Sequence, residues 1–144
     1  MKQSGFVLIV VLMFTMLVLS ACGGGGNGAA SEDLPAPPAE FAGITNPYED
    51  DAAAVDAGKQ IYDINCASCH GPEGRGDGVA AASLDPKPED LHLTVQKAGD
   101  DYMFWRIAKG GNFEPFNSVM PAWEGVLSDE EIWQLVSYIH TFEP

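Results

Sequence analysis

Basic residues are scarce in this chain of 144 residues. Lysine and arginine together number 7, against 21 aspartate and glutamate residues, which gives a formal net charge of −14. A protein that binds nucleic acid needs a basic face to displace the counterions of the phosphates, and anionic lipids attract basic segments for the same reason. The charge balance therefore argues against a nucleic-acid-binding protein and against electrostatic attachment to an anionic membrane.

Cysteine and strand-like patterns are also scarce. The chain has 3 cysteines, which are too few for a disulfide scaffold, and the odd number leaves at least one that needs another explanation. Apolar and polar residues alternate over no convincing length, and the sequence has no internal repeat. A chain of this size is enough for one ordinary domain, and the patterns predict that it is all-α.

The N-terminus carries an apolar stretch of fourteen residues, from Phe6 to Leu19. A helix that spans a bilayer needs about 20 apolar residues, so this length is more typical of a signal-peptide core. The stretch ends at Leu19-Ser20-Ala21-Cys22, which resembles the lipobox of bacterial lipoproteins. The resemblance implies that residues 1–21 are a signal peptide and that Cys22 becomes a lipidated N-terminus outside the cytoplasm. An uncleaved membrane anchor and ordinary secretion are the alternatives.

Residues 22–51 are rich in glycine, alanine, proline and acidic residues, with few large apolar side chains. Glycine favours coil and proline favours extended backbone, so this segment is predicted to be a flexible tether for a domain at residues 52–144. Phe41, Ile44 and Tyr48 favour a second interpretation. In that interpretation, the chain from Leu34 to Tyr48 packs along a partner or along the surface of the domain.

Three helices are predicted in the domain. The first is Ala52–Asn65, which combines good helix formers with apolar residues at mostly helical spacings. The second is Asp100–Lys109, which two glycines close. The third begins with the capping box of Ser128 and Glu131 and runs to about Phe142.

The remaining segments, Gly71–Leu93 and Asn112–Leu127, are predicted to be loops longer than fifteen residues. Loops of that length are unusual in a compact domain unless they have a function, and three helices are too few for a self-sufficient core. A large apolar cofactor would explain both observations.

The segment Cys66-Ala67-Ser68-Cys69-His70 is a C-x-x-C-H motif, the signature of covalent c-type haem attachment. Two thiols on one helical turn can reach both vinyl groups of a haem, and the adjacent imidazole can bind its iron. A thioredoxin-like redox pair would need a βαβ context, and a zinc site would need two further ligands. The motif therefore predicts one haem c, attached to Cys66 and Cys69 and ligated by His70.

Three further segments add to the motif: Gly74-Arg75-Gly76-Asp77-Gly78, Pro86-Lys87-Pro88 and Met120-Pro121-Ala122-Trp123. With these segments, residues 52–144 resemble a class I cytochrome c domain. The resemblance implies helices and long loops wrapped around one haem, with the thioether of Met120 as the sixth iron ligand. Histidine–methionine ligation raises the reduction potential relative to two nitrogen ligands.

Met120 is not the only side chain of the domain that can ligate iron. His92 and an open position are the alternatives to Met120. Met103 lies on the second predicted helix, where a buried apolar side chain is the expected role. His140 lies near the end of the last helix, where a positive charge interacts favourably with the helix dipole.

The resemblance also implies groups around the haem. The carbonyl of Pro86 or Pro88 would accept a hydrogen bond from Nδ1 of His70. Three side chains are candidates for contacts with the haem propionates, namely Arg75, Trp105 and Trp123. An exposed-loop role for the arginine and a packing role for the two tryptophans stay open.

The resemblance extends to the crossing of the terminal helices. Gly58 and Tyr62 match the small and aromatic pair that the family uses there, and Leu135 and Tyr138 would be their partners on the last helix.

Together these features predict an electron-transfer protein and not an enzyme in its own right. It would act as a shuttle on its tether or as a fixed subunit of a respiratory or photosynthetic complex, such as alternative complex III or a terminal oxidase. The acidity predicts a redox partner with a basic docking face. A haem-based ligand sensor or small peroxidase with a labile sixth ligand is the alternative from another functional class.

Overall fold

The computed structural model describes residues 34–143. In this range the chain forms five α-helices and one short 3₁₀ helix, and its only strand-like pairing is an isolated bridge between Glu124 and Leu127. The helices are α1 (Ala52–Asn65), α2 (Ala67–His70), the 3₁₀ helix (Ala81–Ser83), α3 (Leu91–Val95), α4 (Asp100–Lys109) and α5 (Asp129–His140). The predicted all-α class is confirmed. No helix of the described range has the length and apolar character needed to cross a bilayer.

The three long helices follow their local sequence signals closely. α1 starts at the cap Asp51, whose carboxylate accepts from the backbone N–H of Ala53 at 2.8 Å. At α5, the Ser128 hydroxyl accepts from the Glu131 N–H at 3.3 Å, and the Glu131 carboxylate accepts from the Ser128 N–H at 2.8 Å. The predicted capping box is therefore confirmed, although α5 ends at His140, two residues before the predicted Phe142.

α1 and α5 cross with almost no space between their backbones. A Cβ atom added to Gly58 would lie 1.9 Å from the carbonyl oxygen of Gln134 and 3.0 Å from Cβ of Tyr138. Next to this contact the rings of Tyr62 and Tyr138 pack with their centroids 5.2 Å apart, and Leu135 is buried. The residues expected at the helix crossing thus lie there, and the backbone approach admits only glycine at position 58.

The core is small and consists mainly of side chains from α4 and α5, with Tyr62 from α1. Its fully buried members are Tyr62, Ile132, Leu135 and Val136. Aromatic rings complete it, with the rings of Phe104 and Trp133 4.4 Å apart and Phe142 packed 5.6 Å from Tyr62.

The predicted loop Gly71–Leu93 contains structure that the sequence pattern did not indicate. It includes the 3₁₀ helix and the first turn of α3. The cap of α3 is Asp90, which accepts from the His92 N–H at 2.9 Å, and the N–H of Leu91 donates to the carbonyl of Gly74 at 2.7 Å. Helices of three and five residues are too short to show an apolar period, so only the tertiary contacts reveal them.

Residues 34–51, predicted to be a tether, belong to the same compact unit as residues 52–143, in agreement with the second interpretation of Leu34 to Tyr48. We call residues 34–51 the N-terminal strap. Asn46 in the strap is 6% exposed; its amide donates to the Ser137 hydroxyl at 2.8 Å, and its backbone N–H donates to Asp100 at 2.9 Å. Phe41 packs near Phe104, with ring centroids 6.2 Å apart. A buried amide and a few apolar side chains fasten this segment, although its average composition is that of a linker. The signal peptide, Cys22 and the rest of the predicted tether lie outside the described residues.

Candidate cofactor site

A cavity of about 340 Å³ lies between the helices and the two long loops. Its lining includes most of the residues expected around the haem: Cys66, Cys69, His70, Pro86, Pro88, Met120 and Trp123. These residues are far apart in the sequence and extend from the end of α1 to the segment before α5. The structure therefore brings both predicted thiols and both predicted iron ligands to one cavity.

The C-x-x-C-H motif is held in place by hydrogen bonds at both of its ends. Cys66 closes α1 by donating its N–H to the carbonyl of Tyr62 at 2.8 Å, and its own carbonyl accepts from the N–H of His70 at 2.9 Å. After the motif, the Tyr62 hydroxyl donates to the carbonyl of Gly71 at 2.7 Å, and the N–H of Gly76 donates to the carbonyl of His70 at 2.8 Å. α2 is thus a rigid turn, and two of its side chains, Cys69 and His70, line the cavity.

The two thiols of the motif form no disulfide in the described structure. Burial, with a smaller contribution from Cys69, raises the pKa of Cys66 to about 12. A thiol with so high a pKa stays protonated near neutral pH, whereas a redox-active dithiol pair relies on a lowered pKa. This electrostatic environment argues against the thioredoxin-like alternative.

His70 supplies a test of whether the site fits a metal-bound cofactor. Burial lowers the pKa of its imidazole, and the nearby charge of Glu89 opposes this in part. The ring is therefore neutral near pH 7, which is the form that ligates a metal. Its Nδ1 atom is buried, and no group in residues 34–143 forms a hydrogen bond with it. The predicted bond to the carbonyl of Pro86 or Pro88 is consequently not formed in this structure, although both prolines line the cavity.

Met120 is positioned by the C-terminal end of α4. Its carbonyl accepts from the N–H of Gly111 at 2.9 Å, and the N–H of Trp123 donates to the carbonyl of Ile107 at 3.1 Å. Gly110 has a φ of +70°, and a Cβ atom there would lie 2.6 Å from the carbonyl oxygen of Met120. The two glycines that end α4 therefore also allow the Met120 segment to lie against the helix end.

The alternative sixth ligands occupy different environments. His92 is not part of the cavity lining: its Nε2 lies 2.8 Å from the carbonyl oxygen of Glu73. His140 is also outside the lining, with Nε2 2.8 Å from Asp100. Met103 is 4% exposed and lines the cavity, so the site contains a second thioether.

Two of the residues proposed for the propionates lie elsewhere. The Arg75 side chain is 53% exposed, with Nε 3.6 Å from a carboxylate oxygen of Glu73, and it does not line the cavity. Trp105 is buried outside the lining, among aromatic rings. The arginine that does line the cavity is Arg106, which sequence reasoning did not single out. The sequence did contain a signal for this position. Arg106 follows Met103 by three residues, and residues at that spacing share a helix face.

Residues 53–139 match the model of a protein family described as cytochrome c oxidase, cbb3-type, subunit III. The chain belongs to this family of cytochrome c domains. Its cofactor is covalently bound haem c, as the C-x-x-C-H motif predicted, and cytochrome c domains transfer electrons, as the resemblance implied. The donor set in the cavity fits that cofactor, because it offers two thiols, a neutral imidazole and a thioether.

Two curated relatives and one solved structure illustrate the similarity. The cbb3-type cytochrome c oxidase subunit FixPc of Rhizobium leguminosarum bv. viciae is 33% identical over 99 residues, which are 69% of this chain and 31% of that protein. Cytochrome c-554(547) of Halothiobacillus neapolitanus is 34% identical over 89 residues, which are 60% of this chain and 94% of that protein. The Kuenenia stuttgartiensis reducing HAO-like protein complex Kustc0457/Kustc0458 matches with a TM-score of 0.54 and 30% identity, over 65% of this chain and 45% of that one. This cytochrome c domain thus spans nearly the whole of a small cytochrome but less than a third of the oxidase subunit.

Proposed function

We propose that this chain is a mono-haem electron carrier in which Cys66 and Cys69 bind the haem and His70 and Met120 ligate its iron. The observation that carries the proposal is the convergence of these four side chains on one cavity. When bound, the haem supplies a one-electron change at its iron. The chain supplies attachment, ligand positions and a largely apolar enclosure.

The contribution of the protein residues is to hold both ligands still. His70 sits on a turn fastened at its two ends, and Met120 is fastened to the end of α4 through Gly111. Ligands that keep their positions in both oxidation states limit the structural rearrangement that accompanies each electron. The soft thioether of Met120 favours the reduced iron more than a second nitrogen ligand would.

Replacing Met120 with alanine is expected to remove the methionine–iron charge-transfer band of the oxidised protein and to lower the reduction potential, because the soft ligand is lost. The absorption spectrum and a redox titration measure both effects. Met103→Leu is the matched control, since it removes the other thioether of the cavity at nearly constant volume and should keep the band. The opposite pattern would assign the ligand role to Met103. Rapid binding of carbon monoxide by the unaltered reduced protein would instead favour the sensor or peroxidase alternative.

We further propose that the mature chain is anchored by lipid on Cys22, on the outer face of a bacterial membrane. The proposal is supported by the resemblance of Leu19-Ser20-Ala21-Cys22 to a lipobox. Cys22→Ser is expected to move the protein from the membrane fraction to the soluble fraction while its haem spectrum stays the same. Mass spectrometry of the N-terminal peptide checks the modification directly. A Cys22→Ser protein that stays in the membrane fraction would indicate an uncleaved anchor.

The partner of this carrier is proposed to be a redox protein with a basic docking face, either a separate protein or another subunit of a respiratory or photosynthetic complex. Support comes from the net charge of −14 and from relatives that are named as oxidase subunits. Mild detergent extraction followed by native sizing distinguishes the two settings, because co-migration with a large complex excludes a free shuttle. Sizing at low and high salt tests the charge argument, since a complex held by charge dissociates as salt rises.

A further inference from the structure

Arg106 is a half-buried cation inside the cavity. It lies on α4, and its side chain lines the cavity together with that of Tyr102, one turn earlier. The other arginine of the described structure, Arg75, lies on an exposed loop outside the cavity. The cavity thus has one guanidinium, and it comes from a helix and not from a loop.

Aromatic rings fix the position of this guanidinium. Cζ of Arg106 lies 3.4 Å from the ring centroid of Phe116 and 5.9 Å from the ring centroids of Trp105 and Phe113. One of its terminal nitrogens donates to the carbonyl of Gly110. Stacking of this kind holds a planar guanidinium in one orientation and removes water from its faces. Trp105 therefore contacts the arginine side chain and does not itself line the cavity.

The charge of Arg106 has no direct counter-ion among the described residues. The ion pairs of residues 34–143 involve other cations, and Glu89 acts on Arg106 through space without forming an ion pair with it. Burial lowers the pKa of the guanidinium, which nevertheless stays charged because arginine does not lose its proton in proteins. A cation that is partly removed from water is costly unless an anion faces it. The Glu89 carboxylate lines the same cavity but forms no ion pair with Arg106, so a second anion is expected next to the guanidinium.

We propose that Arg106, held by Phe116, Trp105 and Phe113, binds a propionate carboxylate of the haem. The inference rests on the placement of haem c in this cavity proposed above. The propionates are the anionic groups that the cofactor brings into the site, and a guanidinium matches a carboxylate with two parallel hydrogen bonds. Arg106, and not the exposed Arg75, is thus the arginine placed to contact a propionate.

The test compares holoprotein carrying Arg106→Gln with holoprotein carrying Arg75→Gln. Loss of a desolvated cation near the haem favours the oxidised iron, so Arg106→Gln should lower the midpoint potential. The expected change in the ratio of reduced to oxidised protein is roughly tenfold, or about 59 mV for one electron. Arg75→Gln should change that ratio less than twofold, because water and salt screen an exposed charge. A shift for Arg106→Gln no larger than that for Arg75→Gln overturns the proposal.

A second variant tests the proposal if Arg106→Gln does not yield a folded protein with haem attached. Arg106→Lys keeps the charge but loses the two-pronged donor, so it should alter the propionate bending mode in the resonance Raman spectrum while the potential shifts less. A bending mode identical to that of the unaltered protein would show that Arg106 has only a packing role. The methionine–iron band is recorded in every variant. Its absence from the unaltered protein would count against the proposed ligation, whereas its presence with unchanged potentials and propionate modes would count against Arg106 alone.

Discussion

Changing both Cys66 and Cys69 to serine should abolish covalent haem attachment and leave a chain that does not hold its fold. The thiols are the only covalent link proposed for the haem, and serine hydroxyls do not replace thioether bonds. Without haem the largely apolar lining of the cavity of about 340 Å³ is left in contact with water. Burial of one large apolar side chain contributes about 1.5–3 kcal/mol, so losing it for several side chains is comparable to the whole stability of an ordinary domain, about 5–15 kcal/mol.

A haem stain after denaturing electrophoresis measures attachment, and circular dichroism measures the remaining helix content. Ser68→Ala is the matched control, because Ser68 lies between the two cysteines with an exposed side chain and should leave both signals unchanged. Single cysteine variants should retain haem through one thioether bond at reduced yield. Haem that stays attached to the double variant after denaturation would contradict the proposed attachment.

Gly58→Ala should destabilise the protein by about 3 kcal/mol or more, although alanine normally stabilises a helix by about 0.5–1 kcal/mol relative to glycine. The sign reverses because the added Cβ would lie 1.9 Å from the backbone oxygen of Gln134. Backbone atoms on both helices have no rotamer with which to avoid the contact, so α1 and α5 must move apart. This movement would disturb Tyr62, whose hydroxyl holds the carbonyl of Gly71 just after the haem ligand.

Urea unfolding of the holoprotein, followed by circular dichroism and by the haem absorption band, measures the loss. Gln60→Ala on the exposed part of the same helix is the control, and its unfolding free energy should change by at most about 0.5 kcal/mol. A gain in stability for Gly58→Ala would mean that the two helices do not cross as closely as the structure places them.

Local signals were sufficient for the long helices and for the attachment motif. Asp51 and Ser128 cap their helices through contacts within three residues, and the bounds of α1 and α4 agree with the prediction. The spacing of Cys66, Cys69 and His70 carries its chemistry within a single turn. Such features depend on neighbours in the sequence, so the sequence shows them directly.

The N-terminal strap and the arginine of the cavity could not be found in this way. The sequence around Asn46 is typical of a linker. Its side-chain amide is nevertheless buried, because it donates to the hydroxyl of Ser137, 91 positions away. Arg75 and Arg106 are both arginines near plausible motifs, and only the packing of Phe116 against Arg106 distinguishes them. In each case the deciding partner is remote in sequence and leaves no pattern near the residue itself.

The sequence by itself thus determined the helical class, the haem attachment and the cytochrome c family, because these depend on short-range spacing and on residue chemistry. The tertiary structure alone decided that residues 34–51 pack with the domain, which side chains line the cavity and which arginine is among them. Those features arise when loops and helices from distant parts of the chain close around one cofactor-sized space. Burial then makes the interactions of a polar residue energetically important, although composition alone would predict that the residue is exposed to solvent.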